Sequence, residues 1–510
     1  MKGAGGPSSA VVVLALAAPV YAAACGPNRT GENSNDGGLE MPPAAAPGQA
    51  ASLGPEEDGG TGGDSASDGA NGSSASADGA TGGACADGAT GGATSTGDPT
   101  GTAAVEAAQF LDSVGVCTHV GQGVDAPAPS AAAIAFAGIR NLRDDGSAAH
   151  ISDWISMHQT SGVRTCVLTT QDVASTLSIA EQLNAAGALL AVEGPNEPNN
   201  FPVTYQGQTS NSNTTFVPVA NLQRDLYAAV KADAKLSHIP VFHSSEAGGS
   251  EPDNVGLQFL TIPAGSGIAM PDGTKYADYG NTHNYVCGHS SKLVDNVAWS
   301  ASDPTLNGDW DGPYVEYGRT WHGGFAGYSD ADLITLPKVT TETGWVTAGA
   351  GSITDEQQGR LFLNLYLSAF KRGFSYTFVY MLRDDPAQGF WGLFDTTYNP
   401  KTSGTYLHNL TTILADTGTG MTPGNLDYSI ADEPATVHDL LPQKSSGVFA
   451  LVVWDERPSG GTDNVTVDLS ISRAAVTVYD PTTGTGPTQT LQGVSSVALV
   501  LSDHPVVLEL

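Results

Sequence analysis

The chain has 510 residues, with 20 Lys or Arg against 53 Asp or Glu, a formal charge of -33 and 63 glycines. Apolar residues make up 40% and charged residues 14%, and glycine stands well above its usual share of roughly 7%. This length admits two or three domains. The acidity excludes the basic surface that nucleic acid requires and disfavours anionic membranes and polyanionic substrates.

Residues 1–25 carry Lys2 and then the apolar run AVVVLALAAPVYAAAC. The run falls short of the roughly 20 residues of a spanning helix, so it reads as an export signal and places the protein outside the cytoplasm. Cys25 follows three alanines in a stretch that resembles a lipobox without its usual Leu. Acylation of Cys25, the one route to a membrane, and ordinary A-x-A cleavage both fit. The remaining cysteines, Cys85, Cys117, Cys166 and Cys287, are too scattered for a disulfide framework or a zinc site. Cys117 and Cys166 read as small buried thiols.

Residues 26–104 are mainly Gly, Ala, Ser, Thr, Asp and Pro, with DGATGG occurring twice and Arg29 as the sole cation. Such a segment has too few apolar side chains to offset the entropy of ordering, and it reads as a disordered acidic tether. GGTGGDSAS imitates one calcium-binding repeat, but a single copy without its large apolar residue cannot stack.

From Val105 onward, eight apolar runs alternate with amphipathic helical stretches. The runs are DSVGVCTH, GIRNLR, VRTCVLTT, ALLAVEG, IPVFHSS, DYGNTHNY, LPKVTTE and YTFVYML. Eight strand–helix units predict an α/β fold, a (β/α)8 TIM barrel over residues 105–415. After Asp416 the runs GVFALVVWDE, NVTVDLSI, AAVTVYDP, SSVALVLS and HPVVLEL have no helix between them. They predict a small antiparallel β-sandwich over 416–510.

Functional groups of such barrels gather at the C-terminal ends of the strands. The fourth run ends in EGPNEPNN and the seventh in TTETGW, which brings Glu197 and Glu342 to one mouth. Two carboxylates so placed are the equipment of retaining glycoside hydrolysis, in which they stand about 5–5.5 Å apart. That chemistry asks for one of them in a drier or more anionic setting than the other. Glu193 is a rival for the acid, since strand alternation alone leaves its direction open.

The Asn-Glu-Pro of the fourth strand, the Thr-Glu-x-Gly-Trp of the seventh, His283-x-Tyr285 of the sixth and the segment FWGLFDTTYNPKTSGTYLHNL together resemble the clan A superfamily of retaining glycosidases, which includes cellulases, mannanases and xylosidases. The resemblance covers residues 108–410, and the C-terminal β-domain is similar to the accessory domain of such barrels. It implies Glu197 as general acid/base and Glu342 as nucleophile. It further implies that Asn196 binds the sugar 2-hydroxyl, that Tyr285 donates to Glu342, and that Arg143 adds positive charge beside it. His119 and His283 would line the floor, and Trp345, Tyr380 and Trp391 would offer flat faces to sugar.

Against these stand plainer readings: Arg143 as a salt-bridge partner of Asp144 or Asp145, and His119 as a core histidine. Trp154, Trp299 and Trp454 read as packing residues. No HExxH, GxSxG or GxxxxGK[ST] motif occurs, and neither metal nor cofactor is called for. The expectation is an exported glycosidase acting on a neutral, β-linked oligo- or polysaccharide. A non-catalytic glycan-binding surface protein and a transglycosylase remain the alternatives.

Overall fold

The computed structural model describes residues 101–510 except 199, 211–216, 246–259, 266–269, 287–292, 304–328, 350 and 419. The export signal with Cys25, the tether up to residue 100 with Cys85, Cys287 and most of the long stretch 290–330 lie outside the described residues. Among the described residues no helix is long and apolar enough to cross a membrane.

Eight parallel strands form the barrel: β1 Val114–Cys117, β2 Asn141–Asp144, β3 Arg164–Leu168, β4 Leu189–Glu193, β5 Val241–Phe242, β6 Gly280–Asn281, β7 Lys338–Thr343 and β8 Phe374–Val379. They pair in sequence order, and β8 returns to β1 through Thr377 opposite Val114. Between β5 and β6 closure rests on the Phe242–Tyr279 bridge. Each of the eight apolar runs contributes one strand. Helices cover their outer faces, which is why the strands are buried on both sides.

The helices start where side chains satisfy their free N–H groups. Asp172 accepts from Ser175 N ahead of Val173–Ala185, and Thr354 and Gln357 form a capping box ahead of Asp355–Lys371. Trp154 and Trp454 are fully buried, as expected of packing residues, and Trp299 is half-buried with its ring stacked on His438.

Six antiparallel strands follow: β9 Ser429–Ile430, β10 Val437–Leu440, β11 Ala450–Asp455, β12 Asp463–Tyr479, β13 Pro487–Leu501 and β14 Pro505–Glu509. They make one sheet in the order β9-β12-β14-β11-β10, with β13 paired to β12. The runs NVTVDLSI and AAVTVYDP are one strand. A register shift between Asp468 and Arg473, with Ser470 at a left-handed φ of 59°, bends β12 without ending it. Two short pairings precede the barrel in the chain. Thr102 and Ala103 pair with Leu426 and Asn425, and Val105 and Glu106 with Pro442 and Gln443.

The sheet meets the barrel through buried acids. Glu456 accepts from Ser368 Oγ (2.5 Å), Trp299 N (2.9 Å) and Trp454 Nε1 (3.2 Å). Asn364 Nδ2 donates to Asp455 O (3.2 Å) and Asp503 Oδ1 (3.3 Å). Burial pushes Asp503 up to about 8, Glu456 up to about 7 and Asp455 up to about 6. In the unfolded chain these groups titrate near 4, so the folded state binds the extra protons and loses stability as pH rises from about 4 to about 8. Buried His243 and His438, held down at about 3 by burial, act oppositely and only below about 6.5. In the barrel, Asp144, pushed up to about 8 by burial, adds to this fall and Lys338, pushed down to about 8 by burial, opposes it in part, so the melting temperature is expected to rise between pH 8.5 and 6.5. Asp503→Asn should flatten that slope, and an unchanged slope would show that the junction does not carry it.

Candidate active site

Two glycines shape the strand ends that carry the proposed carboxylates. A Cβ at Gly194 would lie 2.7 Å from Ser244 N and overlap the Gln223 side chain that accepts from that same N–H. At Gly344 the backbone has φ +145° and a Cβ would come within 2.9 Å of Tyr380 O. Glycine at these two positions therefore lets the ends of β4 and β7 lie close against the chain that follows β5 and β8.

Arg143, 4% exposed, is the centre of the site. Its Nε and Nη2 donate to the two oxygens of Glu193 at 2.8 and 3.0 Å, Nη1 donates to Glu342 Oε1 at 2.6 Å, and Nη2 also reaches Asn196 Oδ1 at 2.7 Å. Burial alone would favour the neutral guanidine. The charges of Glu193 and Glu342 outweigh it and hold the proton more firmly than usual. Arg143 does not pair with Asp144. That carboxylate faces the other way, accepting from Thr118 Oγ1 (2.6 Å), Val120 N and Gly121 N (both 2.9 Å) and Trp154 Nε1 (3.3 Å).

Glu193 is fully buried beneath Arg143 and accepts further from Thr341 Oγ1 (2.9 Å) and Asn281 Nδ2 (3.2 Å). So enclosed, it cannot deliver a proton to a ligand, which removes it as a rival to Glu197. The floor is completed by the thiols of Cys117, donating to Thr341 O, and Cys166, beside Glu193. Burial pushes both thiols up, so they stay protonated and unreactive.

Glu342 takes Tyr285 Oη at 2.8 Å on Oε2 as well as Arg143 on Oε1. Glu197 takes His283 Nδ1 at 2.7 Å on Oε1 and Asn200 Nδ2 at 2.9 Å on Oε2, while His283 Nε2 meets Thr341 Oγ1 at 3.1 Å. Burial pushes the Glu197 carboxyl up, but the hydrogen bond and charge of His283, with the Asn200 amide, outweigh it and leave the carboxyl below its usual range. Their side chains are 13% and 11% exposed. The expected contrast in dryness is absent, and the two carboxylates differ in their partners instead.

Glu197 itself adopts a left-handed φ of 38°, a conformation worth about 1–3 kcal/mol of strain in a non-glycine residue. The amides of Asn200 and Phe201, donating to Glu197 O at 2.7 and 2.8 Å, hold this turn. One ligand atom from each of Glu197, His283 and Glu342 lies within 4.8 Å of the others. Such a trio could receive a cation, but the Arg143 guanidinium 2.6 Å from Glu342 already supplies the positive charge there. The trio fits a metal poorly.

The aromatic platforms differ from expectation. Trp345 is fully buried, with Nε1 donating to Gly351 O at 2.8 Å and its carbonyl accepting from Gln358 Nε2 at 2.8 Å. The turn at Gly344 takes the indole into the core, so it offers no face to a sugar. Trp391, 3% exposed, sets its ring edge-on to Tyr285 (5.5 Å) and Tyr380 (6.1 Å). It is the wall behind those tyrosines and not an open platform. Tyr380 is half-buried, bonded to Gln388 Oε1 at 3.2 Å and edge-on to His119, which is 8% exposed.

Sequence reasoning did not single out Asn200, Asn281 or Thr341. Asn281 at the end of β6 lies in step with His283 and Tyr285 just beyond it, a signal that period-two alternation carries. Thr341 and Glu342 both reach the lumen because the pairing of β7 with β8 shifts between Thr340 and Thr343.

No protein-family model matches the chain, and no curated protein matches it. Among solved structures, a glucosidase from Croceicoccus marinus aligns with 81% of this chain and 97% of its own at 11% identity and a TM-score of 0.48. The catalytic domain of the GH30 xylanase C from Talaromyces cellulolyticus aligns with 81% of this chain and 98% of its own, at 14% identity and a TM-score of 0.47. A GH30 endoxylanase from Clostridium papyrosolvens aligns with 80% of this chain and 97% of its own, at 11% identity and a TM-score of 0.45.

Proposed function

We propose that the protein is a retaining glycoside hydrolase that cleaves neutral, β-linked saccharides by double displacement. The observation that carries this reading is the closeness of Glu197 and Glu342, one oxygen of each lying within 4.8 Å of one oxygen of the other, in keeping with the spacing of about 5–5.5 Å between the carboxyl groups of retaining catalysts. Inverting catalysts keep their carboxyl groups about 6.5–9.5 Å apart to seat a water between them.

Glu342 is the nucleophile. Arg143 and Tyr285 occupy both of its oxygens, which keeps it aimed while it attacks the anomeric carbon. Glu197 is the acid: it gives its proton to the departing oxygen as the glycosidic bond breaks. In the free protein His283 and Asn200 favour the carboxylate of Glu197. A sugar closing over it excludes water, and desolvation moves the equilibrium towards the protonated form that the first step needs. In the second half Glu197 takes a proton from water, and the resulting hydroxyl displaces Glu342 from the sugar. Asn196, held by its oxygen on Arg143, has its Nδ2 to donate to a hydroxyl next to the anomeric centre.

Lysine and arginine are few, which suits an uncharged substrate, and the apolar run in residues 1–25, which reads as an export signal, supports an activity outside the cytoplasm. The stereochemistry of the first product released tests the reading, with retention expected.

A further inference from the structure

We propose that Phe201 is the stacking platform for the sugar on the leaving-group side of the cleft, and so helps to set which glycosides are cleaved. This rests on the reading of Glu197 as the general acid.

With Trp345 and Trp391 withdrawn into the interior, the cleft needs another flat apolar face. Among the described residues, two exposed phenylalanines stand on loops that follow barrel strands: Phe201 after β4, 37% exposed, and Phe390 after β8, 38% exposed. The third exposed phenylalanine, Phe136, lies near the end of the Pro127–Ala137 helix and is stacked on His408 at 4.2 Å. Phe390 precedes Trp391, which backs Tyr285 and hence Glu342. It belongs to the nucleophile's side. Phe201 belongs to the acid's side, because its amide closes the turn on Glu197 O at 2.8 Å.

A lone exposed phenylalanine means little on its own. Here Glu197, the Asn200 amide that grips its Oε2 and Phe201 are tied to one another by hydrogen bonds to Glu197. The turn is held by two backbone hydrogen bonds against a strained φ at Glu197, so the backbone positions from which the acid and the ring project are fixed relative to each other. On a saccharide the oxygen that Glu197 protonates belongs to the leaving sugar, so that sugar lies on the acid's side of the cleft. The C–H face of a pyranose or furanose laid on Phe201 would exclude water there while its hydroxyls stay at the rim. Such a contact favours substrates that have a leaving sugar and does nothing for those that lack one.

Phe201→Ala and Phe201→Tyr are to be compared with wild type on two kinds of probe. β-Glucosyl and β-xylosyl fluorides have a leaving group without a ring, whereas laminari-, cello- and xylotetraose have a leaving sugar. Phe201→Ala is expected to lose about tenfold in kcat/KM on the tetraose that wild type cleaves, a contact of ordinary aromatic strength. It should stay within about twofold on the fluoride, with Phe201→Tyr near wild type on both. Equal losses on both probes, or no loss on the tetraose, would overturn the platform and leave the acid assignment standing. Wild type inert to every fluoride and tetraose would overturn the acid assignment and the platform together.

Discussion

Glu342→Ala lowers kcat by roughly 10⁴-fold or more on any substrate that the protein cleaves, the scale expected when the nucleophile of a covalent mechanism is lost. The methyl group leaves a gap beside Arg143 and Tyr285 that a small anion fits, because both former partners of the carboxylate are donors. With azide added and an activated aryl leaving group, the variant should form the glycosyl azide of inverted configuration. Azide attacks the anomeric carbon from the vacated side while the aryl oxygen departs with the proton of Glu197. The kinetics are to be read with a thermal melt alongside, since Glu342 also anchors Arg143. A folded variant with unchanged turnover would remove Glu342 from the chemistry.

Arg143→Met is expected to destabilise the barrel by about 3–5 kcal/mol, because it leaves the charge of Glu193 without its cation in a fully buried place. Activity should fall with it, as Glu342 and Asn196 both lose the group that positions them. The double variant Arg143→Met with Glu193→Gln separates the two effects. Neutralising the orphaned acid should recover much of the stability and none of the activity. Denaturant unfolding and kcat/KM on the same preparations check this. A single variant within about 1 kcal/mol of wild type would show that the guanidinium does not compensate the buried charge.

These expectations also show which features the residues alone made legible. The eight strands could be read because each is an apolar run bounded by polar loops, and their order gave the barrel. Glu197, Glu342, Arg143, Asn196, His283 and Tyr285 lie together because all stand at strand C-termini, where residue spacing is informative. Glu193 remained ambiguous because its direction depends on where β4 ends. The indoles of Trp345 and Trp391 were misplaced because the turn at Gly344 and the packing of the loop after β8 depend on neighbours remote in sequence, such as Gln358 and Tyr380. The shift in pairing that admits Thr341 beside Glu342 is a property of two strands at once. Likewise the long β12 looked like two strands because its bend at Ser470 interrupts the alternation.

The central claim is double displacement by a carboxylate pair. It is tested most directly by proton NMR of the anomer released in the first minutes of hydrolysis, before mutarotation mixes the products. A β-linked substrate should give the β-anomer first, appearing ahead of the α-anomer. The α-anomer appearing first would contradict the account, since it is the product of a single displacement, which seats a water between carboxyl groups about 6.5–9.5 Å apart, whereas one oxygen of Glu197 and one of Glu342 lie within 4.8 Å.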